Sequence, residues 1–120
     1  LLDSNVVIYA AKEDPAILNW VDEQLLMREI FLISTMSIVE VLGFDALSHP
    51  EEARIEDLLT TLLKVEVTER LARTAVGIRR SARLKTADSI IAATAVEYGI
   101  ALASRDTDFR KVRELEFIEL

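Results

Sequence analysis

The sequence predicts a single α/β domain with a parallel sheet of four to five strands and helices on both faces. Short apolar runs of strand length alternate along the chain with stretches in which apolar residues have helical spacing. Such alternation is typical of parallel sheets, because a parallel strand is reached only through a crossover connection. With 120 residues, 51% of them hydrophobic, the chain is long enough for one core and too short for two. We therefore expect one domain over residues 1–120.

The first part of the chain is predicted to contain two strands and three helices. Ser4 and Asn5 precede an apolar stretch and suit the start of a capped helix. Asp14 and Pro15 provide the N-cap and the first residue of the next helix. The expected elements are a strand at residues 1–3, a helix to Ala11, a helix from Pro15 to Leu26, a buried strand from Ile30 to Ile33, a helix capped by Ser34 or Thr35 that runs through Leu47, and a break at His49-Pro50.

The second part of the chain is predicted to contain three helices and three strands. Residues 64–68 alternate between apolar and polar, which fits a strand near a sheet edge. Gly99 supplies a C-terminal helix stop. The expected elements are a helix from Glu51 to Leu63, a strand from Lys64 to Thr68, a helix from Glu69 to Leu84, a helix capped by Thr86 that runs to Tyr98, a strand from Ile100 to Ala103, a loop from Ser104 to Phe109, and a strand from Phe117 to Leu120.

Composition restricts the possible chemistry. The absence of cysteine excludes disulfides and thiolate metal sites, and a single histidine, His49, argues against histidine zinc sites and a Ser/His triad. Any metal ion must therefore be held by oxygen. The longest uncharged run, residues 30–39, is about half the length of a membrane span, and no signal-peptide pattern opens the chain. We expect a soluble, cytoplasmic protein and, since the first residue is Leu, a few residues missing before it.

Charge is distributed unevenly along the chain. The net charge of −7, averaged over all residues, argues against a nucleic-acid partner. Residues 70–85, however, carry six basic residues and no acidic one. A local basic face can coexist with an acidic protein. The basic stretch therefore predicts either a surface that holds a phosphate backbone or a solvated helix face that balances the acidic half.

Several acidic residues occupy positions that would meet in such a fold. Asp3 ends the first strand, Asp88 lies in the first turn of a helix, and Asp106 and Asp108 follow a buried strand. Each also has an ordinary explanation, as a turn residue or as an acid near a helix N-terminus. Glu40 interrupts an apolar helix, where it needs a partner if it is buried and none if it lies on an exposed stripe.

The combination of these acids is more informative than any one of them. In a parallel α/β domain, a residue after a strand, one in a helix's first turn and one in a strand-to-helix loop can share an edge of the sheet. Asp3, Asp88 and Asp106 meet this condition. Two carboxylates ~4 Å apart repel by ~4 kcal/mol at an effective dielectric constant of ~20, so a cluster of four needs protonation or a cation. Oxygen ligands alone suit Mg²⁺ or Mn²⁺.

Four motifs, in this order, resemble those of the PIN-domain nucleases over essentially the whole chain. They are Asp3-Ser4-Asn5 after the first strand, Glu40 on a helix, Lys85-Thr86-Ala87-Asp88 before an Ala-rich helix, and Ser104-Arg105-Asp106-Thr107-Asp108-Phe109 after a later strand. Within that superfamily, the length resembles the stand-alone VapC-type toxins of toxin–antitoxin modules. Many relatives carry Leu-Pro where this chain has Thr86-Ala87, and Thr86 can cap the helix itself.

The resemblance implies a strand order of 3-2-1-4-5 and the activity of a metal-dependent endoribonuclease. It also implies a small cognate antitoxin that occupies the acidic site, and a homodimer. By resemblance, the catalytic and metal-holding acids are Asp3, Glu40, Asp88 and Asp106, with Asp108 a weaker candidate ligand, and the supporting polar residues are Ser4, Asn5 and Ser104. From the basic stretch, the expected RNA contacts are Arg79, Arg80, Arg83 and Lys85.

Two other classes of function stay open from the sequence. A phosphotransfer site of the haloacid-phosphatase or response-regulator type also places an Asp after a strand near Mg²⁺. Such phosphatases require a second Asp two residues later, where this chain has Asn5, and Lys64 and Lys85 do not fit the receiver pattern. The other class is a non-catalytic interaction module whose acids bind a metal or a basic partner. Metal-dependent cleavage of RNA would separate the nuclease from both.

Overall fold

The computed structural model describes residues 1–120. The N-terminal segment, residues 1–3, is extended and precedes six α-helices, four short strands and one 3₁₀ helix. In chain order the elements are α1 Ser4–Ala11, α2 Pro15–Leu26, β1 Leu32–Ser34, α3 Thr35–Leu42, α4 His49–Thr61, β2 Leu63–Val65, α5 Glu69–Ala82, α6 Thr86–Tyr98, β3 Leu102–Ser104, the 3₁₀ helix η1 Thr107–Lys111 and β4 Phe117–Glu119.

The strands form a parallel arrangement with the N-terminal segment at its centre. Strand β1 pairs with β2 and β3 pairs with β4, both in parallel. Leu2 joins the two pairs through parallel bridges to Ile33 and Ala103. Counting the N-terminal segment as the first strand, the order is 3-2-1-4-5, as the resemblance implied.

Hydrophobic residues pack on both faces of this sheet. Successive residues of the strands alternate between the two cores: Leu1 and Leu102 belong to one, and Leu2 and Ala103 to the other. The first core contains the buried faces of α5 and α6, and the second those of α1, α2 and α4. This confirms the predicted three-layer α/β/α class.

Several helix ends follow the predicted local chemistry. Asp14 caps α2, where its Oδ1 accepts hydrogen bonds from the amides of Ala16 and Ile17, and Pro15 is the first helical residue. Gly99 ends α6 in the left-handed conformation at φ 61°. The start of α2 and the end of α6 were predictable because each depends on neighbouring residues only.

Other predicted helix ends were wrong. Helix α3 ends at Leu42 and not at Leu47: Gly43 is its C-cap, since glycine is a poor helix former, and Leu47 packs against the core from the following loop. His49-Pro50 is not a break but the start of α4, because proline is tolerated in a first helical turn. Ser48 and Glu51 close a capping box there.

Two predicted N-caps were also wrong. Asp3, and not Ser4, caps α1: its carboxylate accepts from the Ser4 amide. Thr86 is the first residue of α6, whose N-cap position is held by Lys85 without a side-chain hydrogen bond. The sequence allowed either assignment, because adjacent residues at a helix start compete for the same backbone amides.

The strands are shorter than, or shifted from, the predicted ranges by one to three residues. Strand β1 begins at Leu32, and Ile30 is 68% exposed instead of buried. Strand β2 ends at Val65, three residues before the predicted end at Thr68. The predicted loop from Ser104 to Phe109 contains the start of the 3₁₀ helix. None of the helices has the length and apolar character required to cross a membrane.

Candidate functional site

The four predicted acids occupy one edge of the sheet. Asp3 ends the central segment, and Asp106 follows β3 by two residues. Glu40 lies on α3, which starts directly after β1, and Asp88 lies in the first turn of α6, which runs back antiparallel to the strand it precedes. All four positions therefore belong to the carboxyl ends of parallel strands, where open α/β sheets place their ligand sites.

Asp3 is buried, with 4% of its surface exposed. Its Oδ1 accepts a 2.8 Å hydrogen bond from the Ser4 amide. Its Oδ2 accepts from Asn5 Nδ2 at 2.8 Å and from Ser104 Oγ at 2.7 Å. No Lys or Arg side chain forms an ion pair with it. The structure thus holds a buried carboxylate with polar but no cationic partners.

The three residues predicted to support the acids contact one another or Asp3. Asn5 Nδ2 also donates to Ser104 Oγ at 3.0 Å, and the Asp106 amide donates to the same Ser104 oxygen at 2.9 Å. The Ser4 hydroxyl lies 3.5 Å from Asp3 Oδ1, at the limit of a hydrogen bond. Ser104, the last residue of β3, is therefore hydrogen-bonded both to the side chain of Asp3 and to the backbone amide of Asp106.

The acids influence one another electrostatically. Burial raises the pKa of Asp3, and the neighbouring charges of Glu40 and Asp106 raise it further, although hydrogen bonds from Ser104 and Ser4 oppose the shift. Burial and then the charges of Asp3, Asp106 and Glu40 raise the pKa of Asp88 to about 6. Such mutual shifts require the carboxylates to share one region. The structure therefore brings the four acids into one electrostatic group.

Glu40, the member of this group on α3, lies on a helix that is less buried than the sequence suggested. The side chain is half-buried, while its neighbour Val39 is 70% exposed. One turn earlier, the hydroxyl of Ser37 is fully buried without a hydrogen-bond partner. Glu40 has no ion-pair partner, so its carboxylate is balanced by no cation within the chain.

Asp108 stands apart from the four acids. It lies in η1, and its Oδ1 forms a 2.7 Å ion pair with Lys111. The hydrogen bond from Lys111 lowers the pKa of Asp108, and no acid of the group contributes to that shift. The backbone amide of Asp108 donates to Asp106 Oδ1 at 2.9 Å, so Asp108 bonds to the site through its backbone and not through its side chain.

The donor set fits a divalent cation chemically. Carboxylate oxygens are the ligands of Mg²⁺ and Mn²⁺, and the buried charge of Asp3 lacks a cationic partner. As they stand, no three acidic or histidine side chains lie close enough together to hold a metal ion. The residues therefore fit the cation by charge and ligand type, and the side chains must approach one another to bind it.

The predicted RNA-binding residues are exposed and free of ion pairs. Arg79 and Arg80 lie in the last turn of α5, Arg83 is its C-cap in the left-handed conformation, and Lys85 precedes α6. The charge of Lys85 acts on the pKa of Asp88, so this end of the basic stretch adjoins the acids. Earlier in the stretch, Arg70 is paired with Glu97 and Arg73 with Glu69.

One pair of residues beside the site was missed by sequence reasoning. Arg105 donates two hydrogen bonds to Asp14, at 2.9 and 2.8 Å. Asp14 was interpreted only as a helix cap, and 91 positions separate the two residues. The available signal was the position of Arg105 between Ser104 and Asp106, inside the last acidic motif.

Comparison with known proteins agrees with this architecture. A search of the curated proteins found no match. Among solved structures, VapBC2 from Rickettsia felis bound to a DNA fragment from their promoter has 17% sequence identity to this chain. It superimposes with a TM-score of 0.83, over 99% of this chain and 96% of that one.

Two further solved structures share the fold. A toxin–antitoxin complex from Klebsiella pneumoniae is 24% identical, with a TM-score of 0.77 over 99% of this chain and 98% of that one. FitAcB from Neisseria gonorrhoeae is 24% identical, with a TM-score of 0.71 over 98% and 95% of the two chains. The family model described as PIN domain matches residues 1–115. With its parallel strand order and four acids at one sheet edge, the chain belongs to the PIN domain family.

Proposed function

We propose that this protein is a metal-dependent ribonuclease that hydrolyses RNA phosphodiester bonds. The observation that carries the proposal is Asp3, a buried carboxylate that interacts electrostatically with three further acids and has no cationic partner. Uncompensated buried charge is costly, so a site of this kind is expected to exist for a ligand of opposite charge. Membership of the PIN domain family, whose members are nucleases, supports the choice of reaction.

Asp3, Glu40, Asp88 and Asp106 would hold one or two Mg²⁺ or Mn²⁺ ions. Such a cation neutralises charge on the phosphate and lowers the pKa of the attacking water. Within the chain, Ser104 and Asn5 orient Asp3 by hydrogen bonds to its Oδ2. The 2′-hydroxyl of the RNA need not take part, and we expect products with 5′-phosphate and 3′-hydroxyl ends.

The exposed basic residues would bring RNA to an acidic site that otherwise repels it. Arg79, Arg80, Arg83 and Lys85 have no carboxylate partner, so their charges are available to phosphates. Contacts to a phosphate backbone supply affinity without sequence selection. We also propose that the protein acts in the cytoplasm.

The biological role we propose is the toxin of a toxin–antitoxin pair. The similar solved structures are described as VapBC2 and as a toxin–antitoxin complex. By this likeness the chain has a cognate antitoxin, and we propose that it also forms a homodimer. Expression of the chain without its antitoxin should arrest growth, and expression of Asp3→Ala should not.

The enzymatic proposal is tested by incubating the purified protein with structured RNAs, in Mn²⁺, in Mg²⁺ or in EDTA. Cleavage in either metal, its loss in EDTA and its loss in Asp3→Ala and Asp88→Ala would support the proposal. Circular dichroism checks that both variants stay folded. A substrate with 2′-deoxy sugars at the cleaved position should still be cut.

A binding measurement separates the proposal from the non-catalytic alternative. Binding of Mn²⁺ without cleavage of any RNA would favour an interaction module, and cleavage retained in a carefully purified Asp3→Ala variant would overturn the proposed site. Stable capture of beryllofluoride, a phosphoryl mimic, would instead indicate a phosphotransfer site.

A further inference from the structure

Arg105 connects the acidic site to the junction of the first two helices. Its two terminal nitrogens donate to the two carboxylate oxygens of Asp14 at 2.9 and 2.8 Å. Its guanidinium carbon lies 4.4 Å from the centroid of the Tyr9 ring. The side chains of Arg105 and Asp14 are 28% and 24% exposed. A two-pronged ion pair of this geometry fixes orientation as well as distance, and the ring beneath it restricts it further.

The backbone of Arg105 is part of the hydrogen-bond network around Asp3. Its amide donates to Asn5 Oδ1 at 3.3 Å, and the Nδ2 of Asn5 donates to Asp3 Oδ2 at 2.8 Å. On the other side of Arg105, the Asp106 amide donates to Ser104 Oγ, which itself donates to Asp3. A shift of the Arg105 backbone would therefore displace the partners of both Asp3 and Asp106.

Repulsion between the acids of the site favours movement of the loop that carries Asp106 away from Asp3. Asp3 and Asp106 carry like charges that repel each other, and Asp106 lies in a loop just after β3. Asp14 is anchored independently, because its Oδ1 also caps α2. The ion pair thus ties the loop that carries Asp106 to a fixed helix end.

We propose that the Asp14–Arg105 pair is a positioning device that holds residues 104–106 and Asn5 so that Asp3 and Asp106 can bind one cation in common. The inference rests on the proposed metal-dependent function. Neither Asp14 nor Arg105 contacts the reacting atoms, so both are positioning residues. Asp14 has a second role as a helix cap, and the variants must separate the two.

The experiment uses Asp14→Asn, Arg105→Gln and the double variant. Asparagine at position 14 can still cap α2, so Asp14→Asn removes the ion pair and keeps the cap. Arg110→Gln is the matched control, since Arg110 forms a similar two-pronged pair with Glu119, at 2.7 and 2.5 Å, without a side-chain hydrogen bond to Asp3, Asn5 or Ser104. For each variant we would measure Mn²⁺ affinity by calorimetry, kcat and KM for RNA, and amide hydrogen exchange in the metal-free protein.

We expect each single variant to bind Mn²⁺ at least about tenfold more weakly and to lose kcat by a similar factor, the usual cost of removing an orienting partner of a metal ligand. KM for RNA should be unchanged, and the double variant should be no worse than either single one, because the two residues act as a unit. The amides of Arg105 and Asp106 should exchange faster in both variants. Arg110→Gln should leave Mn²⁺ affinity, kcat, KM and the exchange of these amides unchanged.

The inference is overturned if Asp14→Asn keeps wild-type exchange at the Arg105 and Asp106 amides, or if Mn²⁺ affinity falls equally in Arg110→Gln. Its failure differs from failure of the proposed function. If the wild-type protein neither binds Mn²⁺ nor cuts RNA, the function fails, while faster amide exchange confined to the Asp14 and Arg105 variants would still support the positioning role.

Discussion

Ser104 donates a 2.7 Å hydrogen bond to the Oδ2 of Asp3 across 101 positions of sequence. Both residues are buried, at 0% and 4% exposure. The bond spans two neighbouring parallel strands of the sheet and sets the plane of the Asp3 carboxylate. The orientation of the central acid therefore depends on a neutral hydroxyl on the adjacent strand.

Ser104→Ala should impair both stability and activity. It removes the donor to Asp3 and leaves the Asp106 amide without its acceptor. We expect the free energy of unfolding, measured in urea, to fall by about 1–3 kcal/mol, and RNA cleavage to fall by at least about tenfold. Ser81→Ala is the control, because Ser81 bonds only to carbonyl groups of its own helix. Wild-type cleavage by Ser104→Ala would contradict this account of Asp3.

Asp106 and Asp108 should differ in function although they are two residues apart. Asp106→Asn keeps a side-chain oxygen to cap η1 but removes a charge from the acidic group, and should abolish cleavage. Asp108→Asn breaks only an exposed ion pair with Lys111, so cleavage should stay within about twofold of wild type. Initial rates of RNA cleavage at saturating Mn²⁺, measured for both variants, test this difference. Equal losses in the two variants would place Asp108 among the ligands.

The metal-free protein should become less stable as the pH rises from 5 to 7. The pKa of Asp88 is about 6 in the folded protein, above its ordinary value of 3.8. Between these two pH values the folded state therefore binds more protons than the unfolded state. The contribution of Asp88 to the free energy of unfolding is therefore full below about pH 4 and is lost as the pH rises through about 6. The raised pKa of Asp3 acts in the same direction. The carboxyl groups whose pKa is lowered, Asp14, Glu51 and Asp108, lose their protons below this window. Burial lowers the pKa of the Leu1 amino group, which acts in the opposite direction and does so equally in wild type and in Asp88→Asn.

The measurement is the melting temperature in EDTA at pH 5 and pH 7, for wild type and for Asp88→Asn. The fall between the two pH values should be larger in the wild type, since the variant has no carboxyl group to ionise at position 88. Saturating Mn²⁺ should reduce the fall, because a bound cation favours the ionised acids. Parallel pH dependence in the two proteins would contradict the raised pKa.

The unpaired arginines should govern the salt dependence of RNA binding. In Arg79→Gln/Arg80→Gln/Arg83→Gln, the slope of log affinity against log salt should shrink by about 0.7 for each lost phosphate contact. The matched control is Arg70→Gln/Arg73→Gln, which removes basic residues already paired with Glu97 and Glu69. Binding is measured in EDTA, which prevents cleavage. An equal change of slope in both variants would show that general charge, and not this surface, attracts RNA.

Local sequence patterns predicted most of the secondary structure. Asp14 and Pro15 placed the start of α2, and Gly99 placed the end of α6 at Tyr98, as observed. These predictions succeed because helix periodicity and caps depend on residues within one or two turns of each other. Errors fell at Leu47 and His49-Pro50, because Gly43 ends α3 early and the capping box of Ser48 and Glu51 starts α4 before the proline.

For the site, the sequence determined which acids end up at the carboxyl edge, because parallel strands joined by helices bring every strand end to the same side. It could not determine how those acids are held. The bond from Ser104 to Asp3, the pairing of Asp108 with Lys111 and the contact of Arg105 with Asp14 were decided only by the tertiary structure. These interactions depend on side-chain directions and, for two of them, on residues about 90 to 100 positions apart. No pattern of local spacing encodes such distances, whereas packing of the two cores against the sheet sets them.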